Sequence, residues 1–285
     1  MAKKLPQHEE SEMSFLDHLE ELRWHLVRGS AAIIIGAILV FANKSFIFDG
    51  IIFAPKSPDF WTFQKLCSFS HWLNTSIPQL FRDADLLCIG QDIPKLQNIS
   101  MTGQFTSHIL VSIIAGLVIA FPYLIWELWR FIKPGLQPSE RKMTRGLVFF
   151  TSLLFFTGVL FGYYVIAPLS INFLSTYSVS EAVQTIPTLR TYITTVTTVV
   201  LASGILFELP ILVYFLTKIG LITPQFLRKY RRHFIVIALI IAAIITPPDL
   251  FSQILVCLPL MILYEISILL SIYITKKEAK KEQAS

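Results

Sequence analysis

Glu208 stands inside an apolar run, two residues before Pro210. An ionised carboxylate surrounded by hydrocarbon costs several kcal/mol unless it is partnered or hydrated, so this side chain must face protein or water. On a helix, Thr194, Thr197, Leu201 and Gly204 fall within about 40° of it and extend it into a stripe with two hydroxyls. A purely structural role, with the carboxyl protonated or bonded within its own bundle, competes with a functional one, a polar contact for another membrane helix or a hydrated path. Glu265 lies in a later apolar run but close to its basic end, where reaching the headgroup region explains it.

Glu20, Glu21 and Glu140 border apolar blocks among clustered basic residues. Such carboxylates are ordinarily just solvated. At an interface they also accept guanidinium groups in a bidentate planar geometry that lysine does not reproduce. Thr246, Asp249, Ser252 and Gln253 form a polar cluster around a Thr-Pro-Pro-Asp turn, and a turn alone accounts for it equally well. The three cysteines are Cys67 and Cys88, both in one long polar segment, and Cys257 inside an apolar block, so only the first two are placed to pair. No H-E-x-x-H, G-x-S-x-G or phosphate-binding glycine loop occurs, and no Cys/His set has metal-ligand spacing along the chain. Neither an enzyme nor a cofactor is expected.

What positions these residues is a membrane. Apolar residues make up 54% of the 285 positions and charged residues 15%, with a mean hydropathy of +0.62, more than the core of a water-soluble domain requires. The apolar residues fall in blocks near the length that spans about 30 Å of hydrocarbon as helix, without the two-residue alternation of a membrane barrel. The expected class is all-α. The net charge of +5 sits in short basic clusters between blocks and marks topology rather than a nucleic-acid surface.

Six spans are predicted, at 27–47, 106–129, 146–167, 191–216, 233–245 and 251–274. Eighteen Lys and Arg residues fall on one side of this arrangement and six on the other, which places both termini in the cytoplasm. The fifth span has a core of only twelve apolar residues, Phe234–Ile245, a length often found in re-entrant segments. Crossing is nonetheless expected, because turning back would put the lysine-rich tail, 276–285, outside. Residues 13–26 carry Phe15, Leu16, Leu19, Leu22 and Leu26 on one face and predict a surface helix ahead of the first span. Trp24, Trp126 and Trp129 suit the aromatic belt. Pro122, Pro168, Pro210 and Pro259 each remove a backbone donor and bend a helix, which favours a curved, concave bundle. Gly158 and Gly162 make a small-xxx-small pair suited to close helix packing. The first twelve residues are polar, and no secretory leader is expected.

Several segments match one family. Phe15–Arg23 reads F-L-D-H-L-E-E-L-R, and Pro122–Arg141 reads P-Y-L-I-W-E-L-W-R-F-I-K-P-G-L-Q-P-S-E-R. Phe156–Pro168 reads F-T-G-V-L-F-G-Y-Y-V-I-A-P, family-like in spacing without being identical. Phe207–Pro210 is F-E-L-P, and Thr246–Gln253 is T-P-P-D-L-F-S-Q. Spread over most of the chain in one order, these segments resemble TatC, the polytopic receptor subunit of the twin-arginine protein translocase.

The resemblance implies a cupped six-helix fold in the plasma (inner) membrane that binds twin-arginine signal peptides at its cytoplasmic face, with Glu21, Arg23 and Glu140 at that site. It implies that Glu208, Thr246 and Gln253 meet single-span TatA/TatB-type partners, that Pro55 matches a proline of the family's first outer loop and, with Pro210 and Asp249, has a structural role, that copies self-associate, and that the proton gradient drives export of folded proteins. The first outer loop, 48–105, departs from the family by its length, and a Cys67–Cys88 bridge in an oxidising compartment is expected to stiffen it. Two rivals remain: a small-solute transporter built around Glu208, and an assembly factor with no preference for paired arginines.

Overall fold

A computed structural model describes residues 15–76, 85, 87–91, 93–133, 144–180, 182, 185–245 and 250–282. Glu140, Thr246 and Asp249 lie outside the described residues. Among those described, the secondary structure is helical, with one isolated β-bridge between Gln97 and Thr188.

Helix α1 runs from Phe15 to Ala42, so the segment assigned to the membrane surface continues unbroken into the first span. A π-helical segment, Phe46–Ile52, and a 3₁₀ turn, Ala54–Lys56, lead to α2 (Trp61–Ser76). Among its described residues, the long first loop contains these helical segments and an irregular stretch that follows α2. Helix α3 (Gly103–Ile132) returns antiparallel to α1. The two backbones touch: a Cβ on Gly116 would stand 2.5 Å from Ala37 N and 2.9 Å from Ile33 O. Close approach of this kind replaces the hydrophobic driving force that lipid does not supply.

Helix α4 (Thr144–Phe161), a π-helical turn (Gly162–Ile166) and α5 (Ala167–Thr176) form a continuous stretch. Pro168 has no N–H to offer the Tyr164 carbonyl four residues before it, and the Thr62 hydroxyl of α2 donates to that carbonyl instead. Helix α6 (Leu189–Leu206) and α7 (Leu209–Lys218) divide the predicted fourth span in two, with Glu208 at the break and Pro210 in the first turn of α7. Gly158 and Gly162 do pack closely, on Ser203 and Phe207. After a short α8 (Pro224–Lys229), α9 (Arg231–Ile245) leads to α10 (Leu250–Glu282). A core of Ile166, Val199, Phe207, Ala238, Ala242 and Leu260 joins the π-helical turn, α6, α9 and α10.

Among the described residues, five stretches are long and apolar enough to cross a membrane: Leu19–Ala42, Gly103–Ile132, Gly146–Thr176, Leu189–Lys218 and Gln253–Lys277. Between 22% and 44% of each apolar window is buried, so most of this hydrocarbon faces outward, toward lipid. The predicted fifth span corresponds to α9, whose 15 residues rise about 22 Å and fall short of the usual crossing length. The protein is a multi-pass membrane protein.

Candidate functional site

The antiparallel contact of α1 with α3 brings the start of one helix against the end of the other, and there the side chains turn from apolar to charged. His25 Nδ1 is hydrogen-bonded to Glu127 Oε2, 102 residues away. The second carboxylate oxygen accepts from the Tyr123 hydroxyl at 2.8 Å, and Arg130 Nη1 stands 4.0 Å from it. Both members of the pair are buried, His25 at 8% and Glu127 at 2% exposure. A carboxylate so enclosed is tolerated because three groups face it, which is the condition for a buried polar network to rigidify rather than destabilise.

Glu21 sits one helical turn before His25, and its Oε1 lies 3.9 Å from His25 Nε2. The imidazole thus stands between two carboxylates, one buried and one at the helix surface. Glu21 Oε2 makes no hydrogen bond to the described residues. Arg23 and Trp24 are exposed on the same turn of helix, as is Trp126 on α3 with the Arg130 guanidinium 5.6 Å from its ring. Trp129, expected in the aromatic belt, is instead buried against Phe215. It falls on the face of α3 turned toward α7, and packing there outweighs the interfacial preference.

Glu208 holds neither carboxylate oxygen in a hydrogen bond with the described residues, although both oxygens are buried. It lies ten residues from Lys218 at the end of α7, about 15 Å along a helix. Thr197, one member of its predicted stripe, turns its hydroxyl onto the Ile193 carbonyl at 2.7 Å and so offers no free donor. Glu265 is paired with Arg231 at 2.7 Å, linking α9 to α10. Gln253 donates to the Leu239 carbonyl at 2.9 Å and ties the same two helices at their other end. Pro210 is buried in α7. Pro55 is buried in its 3₁₀ turn, and the adjoining carbonyls of Ile51 and Ile52 accept the hydroxyls of Tyr163 and Tyr192, each at 2.7 Å.

The loop between α1 and α3 holds Cys67 and Cys88 in a disulfide. It also assembles a cluster that spacing along the chain does not reveal: Cys67, His71, Asp85 and Cys88 bring their ligand atoms within 4.8 Å of one another. The His25–Glu127 pair was likewise missed, because His25 reads as one scattered histidine among six. Its one local signal is the placement of Tyr123, Glu127 and Arg130 at helical spacings on one face.

The chain matches the family model described as Sec-independent protein translocase protein (TatC) over residues 17–259. It is 42% identical over 273 residues to the TatC protein of Blattabacterium sp. subsp. Periplaneta americana (strain BPLAN), covering 95% of this chain and 99% of that one. To the TatC protein of Aquifex aeolicus (strain VF5) it is 34% identical over 274 residues, covering 95% and 100%. A crystal structure of the twin-arginine translocase receptor TatC superposes with a TM-score of 0.67 at 34% identity, covering 90% of this chain and 99% of that one. With the family model matched over residues 17–259 and the relatives aligned through nearly the whole length of both chains, this protein belongs to the TatC family of Sec-independent protein translocase components.

Proposed function

We propose that this protein binds twin-arginine signal peptides at its cytoplasmic face through Glu21 and Glu140, and assembles with single-span partner subunits to export folded proteins under the proton gradient. The observation that carries the reading is the setting of Glu21. Its side chain is 35% exposed on α1, with Oε1 beside an imidazole that is itself fixed by buried Glu127 and Oε2 buried without a hydrogen bond among the described residues. A carboxylate held on a rigid helix at an interface takes one guanidinium of an arginine pair at roughly 1.5–3 kcal/mol for a charge-assisted contact. Glu140 supplies the second acceptor, and Arg23 belongs to the same face.

Six crossings fit this function, with α9 as a short fifth span in locally thinned bilayer and both basic termini in the cytoplasm of an inner-membrane protein. Glu208, Thr246 and Gln253 serve as polar contacts for the partners' helices, Pro55 and Asp249 shape the outer turns, and copies of the chain self-associate.

The test is site-specific cross-linking of the membrane-embedded protein to a twin-arginine signal peptide and to its Lys-Lys variant, with Glu21→Gln and Glu140→Gln. Preference for paired arginines, reduced about tenfold or more by each substitution, supports the reading. Equal labelling by both peptides, indifferent to both substitutions, rejects it.

A further inference from the structure

We propose that Cys67, His71, Asp85 and Cys88 are the four ligands of a zinc site in the reduced protein, an alternative to the disulfide that otherwise joins the two cysteines. His71 Nε2 lies 3.6 Å from Cys67 Sγ, 3.6 Å from Cys88 Sγ and 3.3 Å from Asp85 Oδ1. In a tetrahedral zinc centre with Zn–S about 2.3 Å and Zn–N or Zn–O about 2.0–2.1 Å, the S···N edge is about 3.6 Å and the N···O edge about 3.3 Å. Three edges of such a tetrahedron are already in place around one imidazole nitrogen. The two sulfurs must part, and the two S···O edges, which lie within 4.8 Å, must settle to about 3.6 Å.

The ligands stay together without the disulfide. Cys67 and His71 are one helical turn apart on α2. The facing segment is held by Cys88 N donating to Asp85 O at 2.9 Å, Leu87 N to Ser70 Oγ at 3.3 Å and Gly90 N to Asn172 Oδ1 at 3.0 Å. Gly90 has φ +89, and a Cβ there would stand 2.5 Å from the Phe63 ring, so the segment lies close against α2. An open pocket of about 960 Å³ lined by Asp59, Gln64, Ser68 and Gln91 adjoins the cluster and admits an ion.

Two sulfurs, one imidazole nitrogen and one carboxylate oxygen are a borderline-soft set. Calcium and magnesium ask for six or more oxygens, whereas zinc takes this mixture at four-coordination. The exchange balances. A dithiol reductant converts the disulfide to two thiols and leaves as its own disulfide; Zn²⁺ then displaces both thiol protons to solvent and is held as a bis-thiolate. Exchange with an oxidising disulfide, which takes up the two electrons and leaves as its dithiol, returns the Cys67–Cys88 bridge and releases Zn²⁺.

The experiment uses the full-length protein in detergent, one portion oxidised and one reduced with a phosphine under anaerobic conditions, each dialysed against zinc and assayed by mass spectrometry of the metal. One zinc per reduced chain and none per oxidised chain is expected, with Cys257→Ser behaving as the unsubstituted protein. His71→Ala and Asp85→Asn should each weaken binding about tenfold or more. Thiol counting on unreduced, denatured His71→Ala should find one thiol, which shows that the loop still forms; if it does not, Asp85→Asn, at an exposed position, carries the test. A reduced chain without stoichiometric zinc, or an affinity untouched by Asp85→Asn, overturns the proposal.

Discussion

His25 on α1 and Glu127 on α3, 102 residues apart in the chain, form a buried hydrogen-bonded pair that fixes the register of the first two long helices. Glu21 stands on the other side of the same imidazole. The family's N-terminal motif and its second-helix motif are therefore physically one unit, and the carboxylate proposed to receive an arginine is set in place by one that is hidden.

Removing one member of this pair should cost more than removing both. His25→Ala leaves Glu127 buried with Tyr123 and Arg130 alone and should destabilise by about 3 kcal/mol, whereas His25→Phe combined with Glu127→Leu should recover much of that loss. Thermal unfolding in detergent measures the cycle, and additive single effects would show that the pair is not coupled.

The α1–α3 contact should be equally sensitive to one methyl group. Gly116→Ala drives a Cβ against the backbone of Ala37 and Ile33 and should cost about 1–3 kcal/mol. Gly146→Ala meets nothing within 4 Å and should change stability slightly, toward a gain of up to about 1 kcal/mol from helix propensity. The two unfolding temperatures, compared in one detergent, decide it.

Charged pairs outside this cluster should matter far less. Arg231 and Glu265 are about half exposed, 49% and 44%, so Glu265→Ala should shift stability by no more than about 1 kcal/mol. A larger loss would mean that the pair is enclosed in the assembled protein.

Glu208 should behave in the opposite sense from Glu127. With no hydrogen bond to the described residues, its replacement by Leu should leave the unfolding temperature of the isolated protein unchanged or raised. On the proposed reading, co-purification with single-span partner subunits should fall sharply. A strong drop in stability would place its partner within this chain.

The order of the helices was legible because crossing a bilayer imposes length and hydropathy directly on the sequence. Helices α3 and α10 appear near their predicted positions, and the orientation drawn from the Lys and Arg counts remains part of the proposal. The division of the fourth span at Phe207 and Glu208 was less visible, since Pro210 announces a missing donor without saying where the chain breaks. Gly158 and Gly162 showed that a close contact exists but not that Ser203 and Phe207 provide it.

Sequence alone determined the class of protein, the run of apolar helices and the family motifs, since each depends on neighbours along the chain. Tertiary structure decided which distant groups meet: His25 with Glu127, Tyr163 and Tyr192 with the carbonyls beside Pro55, and Cys67 and His71 with Asp85 and Cys88. Hydrogen bonds and metal ligation act over about 2–4 Å, and only folding brings residues separated by scores of positions to that distance.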